Sequence, residues 1–452
     1  MSYDVIVIGA GAAGEAASSL GAELGGKIAV VEKELVGGEC TFWACMPSKS
    51  LLDSAHRRHV GGDYPWAKAA TRRDWMTNRT DGSLPSDATH ADGITSVGNS
   101  LYRGTARIIG KGKVEVSAAG QLPKTIEARS VIVATGSVPV IPDIEGLADS
   151  GFWTSREATT LTELPSSIVV LGGGPIGVEM AQVYARFGCR TTIVEGNDRL
   201  LPRDHPSSSK VVTEQLESEG VTVLTGVRAV SVERGGAGRR VKLSDGSVAE
   251  GAEVVVAVGR RPADLRSLGA AEAGAELDDR GSAKPDSSML LADGLFAAGD
   301  VAGGLQFTHV ADYQGRIAIA SALGRTAKAD LSAIPRATYT DPETAAVGLT
   351  EQEAAAAGHE AFEVTADFAT SARGFTIEGS KGHVTAVVDR ASKLLVGAFA
   401  ACPGASELIH EAVLAIKLGV PVPTLADTIH AFPTGSRVFG NLMSEAAKKL
   451  KT

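Results

Sequence analysis

The chain has 452 residues, 44% hydrophobic and 21% charged, with a formal net charge of −9; this is apolar material for about three domains at ~150 residues each, and too much for a disordered polymer. The acidic balance, without an extended basic tract, argues against nucleic acid and membrane as partners, and no apolar run reaches the ~20 residues that span a bilayer. Four cysteines are too few for a secreted disulfide scaffold, and the apolar start lacks a basic leader, so a soluble, cytoplasmic protein is expected.

Residues 3–8 read as a buried parallel strand running into Gly9-Ala-Gly11-Ala-Ala-Gly14, an alanine-rich helix, and a second apolar strand ending at Glu32. Residues 37–49 follow, with Cys40 and Cys45 inside a glycine-flanked stretch. If the chain after Pro47 is helical, the pair lies at its N-terminal edge, where exposed amides favour a thiolate. Positions i and i+5 of one ideal helix point apart, so a bridge needs distorted backbone and is easier to reduce. The residues alone leave two readings open, a redox-active dithiol or two ordinary buried thiols. Residues 53–105 are rich in turn formers and read as helices and connections. A strand then leads to the turn Thr135-Gly136-Ser137.

The opening unit recurs 163 positions on. A strand from 167 meets Gly172-Gly-Gly174-Pro175-Ile176-Gly177, then a helix, then a strand ending at Glu195. One G-x-G-x-x-G is weak evidence; two copies in the same strand–loop–helix–strand–acid setting predict two dinucleotide sites. The glycines let backbone amides approach a pyrophosphate at the helix N-terminus, and the acids suit ribose hydroxyls. Glu195 repels a 2′-phosphate and favours NADH, with Arg199 and Arg203 either blurring that preference or serving as solvated loop charges. Residues 254–262, with Gly259, close the second unit, and residues 295–300 return with Gly299-Asp300, whose acid either binds a polyol or caps its turn. The first domain is thus expected to be discontinuous, with the second inserted in it.

Taken in order, the first loop, Cys40-x4-Cys45-x3-Lys49, Thr135-Gly136-Ser137, the second loop, Gly259-Arg-Arg-Pro and Gly299-Asp300 resemble the class I pyridine nucleotide–disulfide oxidoreductases, among them dihydrolipoamide dehydrogenase, glutathione reductase and mercuric reductase. Residues 337–348 resemble the start of that family's dimerisation domain, so the resemblance covers essentially the whole chain. It implies an α/β fold of two Rossmann-like nucleotide-binding domains, for FAD and NAD(P), plus a C-terminal α+β dimerisation domain. The expected segments are 1–152 and 271–333 for FAD, 153–270 for NAD(P), and 334–452 for the interface of a homodimer with its active site between subunits. By the same resemblance, electrons pass from NAD(P)H through FAD to the Cys40–Cys45 disulfide and on to a small-molecule substrate. Cys45 matches the thiol facing the flavin and Cys40 the exchanging one, while Lys49 and Glu179 match an ion pair beside the flavin. The resemblance implies that the first lobe binds FAD and gives as cofactor-binding Gly9, Gly11, Ala12, Ala13, Gly14, Glu32, Lys33, Gly38, Thr41, Lys49, Ala106, Thr135, Gly136, Ser137, Gly299, Asp300, Phe307, Thr308 and His309. It assigns NAD(P) to Gly172, Gly174, Pro175, Ile176, Gly177, Glu195 and Gly259, and no resident metal is expected. Pro175 stands where several relatives have an aromatic gate.

The C-terminal motif departs from the family. Dithiol members carry His-Pro-Thr-x-x-Glu, whose His–Glu pair moves protons for the thiols across the dimer; here the segment reads His430-Ala-Phe432-Pro-Thr-Gly-Ser-Arg437. General acid–base catalysis is worth about 10²–10⁴-fold, so efficient turnover of glutathione-like or lipoamide-like disulfides is not expected. Phe432 resembles the residue of 2-ketopropyl-coenzyme M oxidoreductase/carboxylase that excludes a proton donor, although that enzyme pairs it with histidine, not arginine. Three outlets are weighed: an acceptor needing no proton relay, C–S cleavage or carboxylation of a thioether ketone, and diaphorase-like transfer from flavin to quinones. A flavin-bearing binding protein without turnover is the non-enzymatic rival. His430 is either a substitute base, ~6–7 Å along an extended chain on the same face as Phe432, or structural. Arg437 suits an anionic substrate group or an ion pair across the dimer. Phe42 and Trp43 make the surroundings of the pair apolar, opposing the helix end. The tail lacks the vicinal cysteines of mercuric reductase, and Cys189 and Cys402 read as packing residues.

Overall fold

The computed structural model describes residues 2–80, 83–236 and 238–451. The chain divides into two compact units, one of Met1–Ser50, Ala70–Val140 and Gly259–Asp330, the other of Leu51–Ala69, Ile141–Val258 and Leu331–Thr452.

In the first unit the strand Ser2–Ile8, rich in β-branched residues, lies at the centre of an eight-stranded sheet. It pairs in parallel with Ile28–Glu32 on one side and Lys124–Val133 on the other. Leu295–Ala297 extends the sheet beside Lys124–Val133, so residues from near position 300 complete a sheet begun at position 2. Because both faces are covered by other chain, Val5, Ile6 and Val7 are fully buried, and the run Val5–Ile8 is continuously apolar rather than alternating. The helix Ala12–Glu23 packs on Thr308–Ala322 closely enough that a Cβ on Gly315 would stand 2.3 Å from the Ala13 carbonyl oxygen. Small residues on both helices permit that approach.

The second unit holds a four-stranded parallel sheet of Thr222–Thr225, Arg190–Glu195, Ser167–Leu171 and Glu253–Val256. The 163-residue repeat persists in strand register: Val5 faces Ile28 and Ile8 faces Val31, and equally Ile168 faces Thr191 and Leu171 faces Val194. The same apolar strand pair has been built twice. A five-stranded antiparallel sheet, Arg336–Thr338, Thr344–Gly348, Leu395–Ala401, His383–Asp389 and Ala361–Asp367, carries the helices Ala405–Leu418 and Gly435–Lys449 over a core that includes Phe368, Val384, Ile409, Phe439 and Met443. A buried polar contact ties the helix Pro206–Ser218 to this sheet, where Ser208 Oγ lies 2.9 Å from His383 Nε2 and His383 Nδ1 lies 2.9 Å from Thr385 Oγ1. Among the described residues no helix is long and apolar enough to cross a membrane.

Candidate active site

The cysteines do not share one helix. Cys40 lies in the short helix Gly38–Phe42, the chain breaks at Trp43, and Cys45 opens the long helix Cys45–His59. Helix thus begins two residues earlier than expected from Pro47, which is accommodated because first-turn amides lack intrahelical partners and a missing N–H there costs nothing. The break, not a strained single helix, lets residues five apart approach. Thr308 Oγ1 lies 3.1 Å from Cys40 Sγ and 3.4 Å from Cys45 Sγ. The Cys40 thiol is pushed well up, first by its hydrogen bond with Cys45 and then by burial. Phe42 and Trp43 are buried with rings 5.9 Å apart, and Phe42 packs on His90, whose Nδ1 is 2.7 Å from Glu15 Oε1.

The pair rests on the first glycine loop. Gly37 N donates to Ala10 O at 2.7 Å, and a Cβ on Gly38, whose φ is +64°, would stand 2.8 Å from Gly11 Cα. Within the loop, a Cβ on Gly14 would stand 1.9 Å from Gly9 O, and in the second loop one on Gly177 would stand 2.0 Å from Gly172 O. Gly11 and Gly174 occupy the N-cap positions of Ala12–Glu23 and Pro175–Arg186 without any side-chain cap. First-turn amides at Ala12, Ala13, Pro175 and Ile176 are thus framed for an anion, apart from the proline, which has no N–H.

The acids behave as a matched pair. Glu32 Oε2 accepts from Ala10 N at 2.7 Å and Glu195 Oε2 from Gly173 N at 2.6 Å, while each Oε1 accepts the amide two residues on. Both carboxylates therefore hold their own glycine loop, with lone pairs remaining for a ribose. Lys33 stands exposed beyond Glu32, Thr41 Oγ1 donates to Gly37 O at 3.1 Å, and Ala106 pairs with Val116 in the adjoining hairpin. The glycine cradles, uncapped helix ends and strand-end acids fit a flavin dinucleotide at the first loop and a nicotinamide dinucleotide at the second.

The returning segments converge on the redox helix. Ser137 Oγ donates to Asp300 Oδ2 at 2.5 Å, and Arg260 donates to Ser137 Oγ and Ser137 O at 2.8 and 2.7 Å. The Arg260 guanidinium also stands 3.9 Å from Glu39, the neighbour of Cys40. Gly136 and Gly259, with φ of +71° and +119°, shape the turns that carry these side chains. Gly299 N is held by buried Gln314 at 2.9 Å, and Thr135 flanks the same turn as Gly136. Phe307 caps the helix Thr308–Ala322, and its ring stacks on that of His309 at 5.3 Å. Lys49 Nζ reaches Ser48 Oγ at 3.4 Å in the first unit, whereas Glu179, buried in the second, accepts from Tyr339 N at 2.9 Å.

In the second unit the altered C-terminal motif takes an unexpected form. Phe432 is 74% exposed, but the His430 side chain is buried, with Nε2 2.8 Å from Glu411 Oε1. Among the described residues His430 Nδ1 has no hydrogen-bond partner, and it faces Gly440, where a Cβ would stand 2.4 Å away. The two side chains therefore do not share a face, because residues 429–433 do not run as extended strand. With Nε2–H committed to Glu411 and Nδ1 sealed against a helix, the ring is built as an anchor for this turn. Arg437 is exposed in the first turn of Gly435–Lys449, and its amide donates to Thr434 Oγ1 at 3.1 Å.

Thr308 was expected only as a cofactor contact, and Gln314 and Asn197 were not expected at the site, although Asn197 Nδ2 donates to Glu195 Oε1 at 2.6 Å. The Gly259-Arg-Arg-Pro motif did flag Arg260; nothing local flagged Gln314 or Asn197.

Residues 3–315 match the pyridine nucleotide-disulphide oxidoreductase family and residues 334–443 its dimerisation domain, and the chain belongs to that family. It is an FAD-dependent oxidoreductase that uses NAD(P)H. It is 36% identical to a dihydrolipoyl dehydrogenase of Thermus scotoductus, over 96% of this chain and 95% of the relative, and 30% identical to a mercuric reductase of Staphylococcus aureus, over 96% and 80%. Among solved structures it resembles LpdA of Mycobacterium tuberculosis, with a TM-score of 0.87 and 28% identity over 99% of both chains. It likewise resembles the Cu(II) complex of the HOCl-induced flavoprotein disulfide reductase RclA of Escherichia coli, with a TM-score of 0.89 and 26% identity over 98% and 99%.

Proposed function

We propose that this enzyme takes electrons from NADH, stores them on Cys40 and Cys45, and delivers them to an acceptor that requires no relayed proton at the exchanging thiol. The observation that carries this reading is Phe432, exposed where dithiol members place a histidine, beside a His430 whose nitrogens are both withdrawn. Bound FAD supplies the two-electron relay between nicotinamide and sulfur. Around it, Glu32 and Glu195 hold the glycine loops that would seat the two dinucleotides, Asp300 and Ser137 would hold the flavin's polyol, and Lys49 and Glu179 are the residues that the family resemblance assigns to the flavin's surroundings. The NADH preference is supported by Glu195 and by Arg199, whose Nη2 is spent on the carbonyls of Pro202 and Asp204 at 2.9 and 3.1 Å instead of facing a phosphate.

The working form is a cytoplasmic homodimer in this proposal. Leu414, Leu418, Ile429 and Phe432 are exposed together on the C-terminal domain, and the first three line a groove of about 490 Å³. A second copy of the chain is the expected cover.

Anaerobic titration with NADH is expected to give a two-electron species with a long-wavelength thiolate–flavin band, lost in Cys45→Ser; absence of that band in the unmodified enzyme would sink the dithiol route. Quinone reduction that survives Cys45→Ser would instead assign turnover to the flavin alone. If Phe432 excludes protons to protect a carbanion, Phe432→His abolishes thioether-ketone cleavage while leaving the band intact.

A further inference from the structure

One hydroxyl touches both sulfurs of the pair. Thr308 is the first residue of the fifteen-residue helix Thr308–Ala322, in the same compact unit as both cysteines. Its Oγ1 lies 3.1 Å from Cys40 Sγ and 3.4 Å from Cys45 Sγ. A threonine hydroxyl has one proton, and rotation about its C–O bond redirects that proton without moving a heavy atom. The helix end behind it adds a partial positive charge facing the same sulfurs.

We propose that Thr308 is a catalytic residue of the redox pair, its hydroxyl donating to whichever sulfur carries the negative charge and so allowing a thiolate to form on Cys40 without a base at position 432. The inference rests on the dithiol reading above. Hydride equivalents from NADH, two electrons and one proton, break the S–S bond and leave one thiol and one thiolate. With the charge on Cys45, the Thr308 hydroxyl, 3.4 Å from that sulfur, donates to it. Passage of the remaining proton from Cys40 to Cys45 then moves the charge outward with no net gain or loss of protons. The Thr308 O–H turns with it, from Cys45 to Cys40. A family member with a histidine at 432 can draw this proton away; Phe432 cannot, and Thr308 supplies a donor from the chain that carries the sulfurs.

The test is the pH dependence of Cys40 alkylation by iodoacetamide in holoenzyme reduced anaerobically with NADH, located by peptide mass. Thr308→Val keeps the branched shape and removes the donor, and Thr308→Ser restores the donor without the methyl. The valine variant is expected to raise the midpoint of the alkylation profile by about one pH unit, roughly tenfold slower modification near neutrality. The serine variant should return to the unmodified profile, with flavin content and thermal midpoint alike in all three. Thr308→Ala provides the same reading should valine not retain flavin. Unchanged midpoints in the valine and alanine variants, or failure of serine to restore, would overturn the proposal. Failure of the unmodified enzyme to give any thiolate on NADH reduction would overturn the dithiol reading itself.

Discussion

Glu195 shows how one side chain serves both local structure and ligand choice. Its two oxygens accept from Gly173 N, Asn197 N and Asn197 Nδ2, so the carboxylate proposed to select a ribose also fixes the second glycine loop. Hydrogen bonds to a charged group contribute about 1.5–3 kcal/mol. Glu195→Ala is therefore expected to lower kcat/KM for NADH by about 10- to 100-fold while changing that for NADPH much less. Steady-state kinetics with both coenzymes checks it; an equal loss for both would mean that the loop, not the ribose, had been damaged. The thiols divide in the same way at this scale. Burial pushes Cys189 up to about 11 and Cys402 up to about 12, which leaves them inert near neutrality, whereas Cys40 and Cys45 share the Thr308 hydroxyl.

Among the elements, the contact between the helix Pro206–Ser218 and the five-stranded sheet depends on an uncharged histidine. His383 is buried, bonded to Ser208 and Thr385, and has the His205 ring 5.5 Å away, which in turn meets Glu363 at 3.2 Å. Burial first, and His205 second, hold its pKa down to about 4, against 6.5 for the free side chain. A depressed histidine is neutral in both states above the unfolded value, so it has no effect there. As pH falls from 6.5 towards 4 the unfolded chain gains a proton that the folded one refuses, and stability drops by up to about 3 kcal/mol. Urea unfolding at pH 7 and pH 4.5 should show a loss in the unmodified protein that is smaller in His383→Gln. A second element-scale device is the buried Arg186–Glu219 pair at 2.7 Å, with Asp341 3.0 Å from the same guanidinium. Arg186→Met leaves the buried Glu219 carboxylate without its cation, while Asp341 is half-exposed and keeps His56 at 2.9 Å; a loss of about 3–5 kcal/mol is expected by thermal or urea unfolding.

For the whole molecule, the exposed apolar face of the C-terminal domain gives the decisive prediction. Ile429 is 96% exposed, and an apolar patch of this kind on a soluble surface marks an interface. The double substitution Leu418→Glu with Ile429→Glu is expected to yield a flavin-bearing monomer by sedimentation, without steady-state turnover. A dimer that persisted would move the interface elsewhere.

The two nucleotide units were legible in the sequence because a glycine loop needs bare backbone, a parallel strand buried on both faces is apolar throughout, and an acid must end the second strand. Those local requirements leave residue types at fixed spacing, and repetition at 163 residues made them unmistakable, down to the register of the strands. The redox pair was legible for the same reason, since Cys40, Cys45 and Lys49 lie within one short segment. What the sequence could not supply were meetings between distant segments. Thr308 lies 263 positions from Cys45, and Arg260 lies 123 from Ser137; no spacing rule links such residues, because the sheet order, not the chain order, makes them neighbours. The turn at His430 was decided by packing too: extended geometry put His430 and Phe432 on one face, but the gap at Gly440 and the carboxylate of Glu411 draw the imidazole inward and leave the phenyl ring outside. Local backbone chemistry wrote the cofactor loops into the sequence, while the long-range contacts that place charge and protons around the sulfurs existed only once the chain had closed.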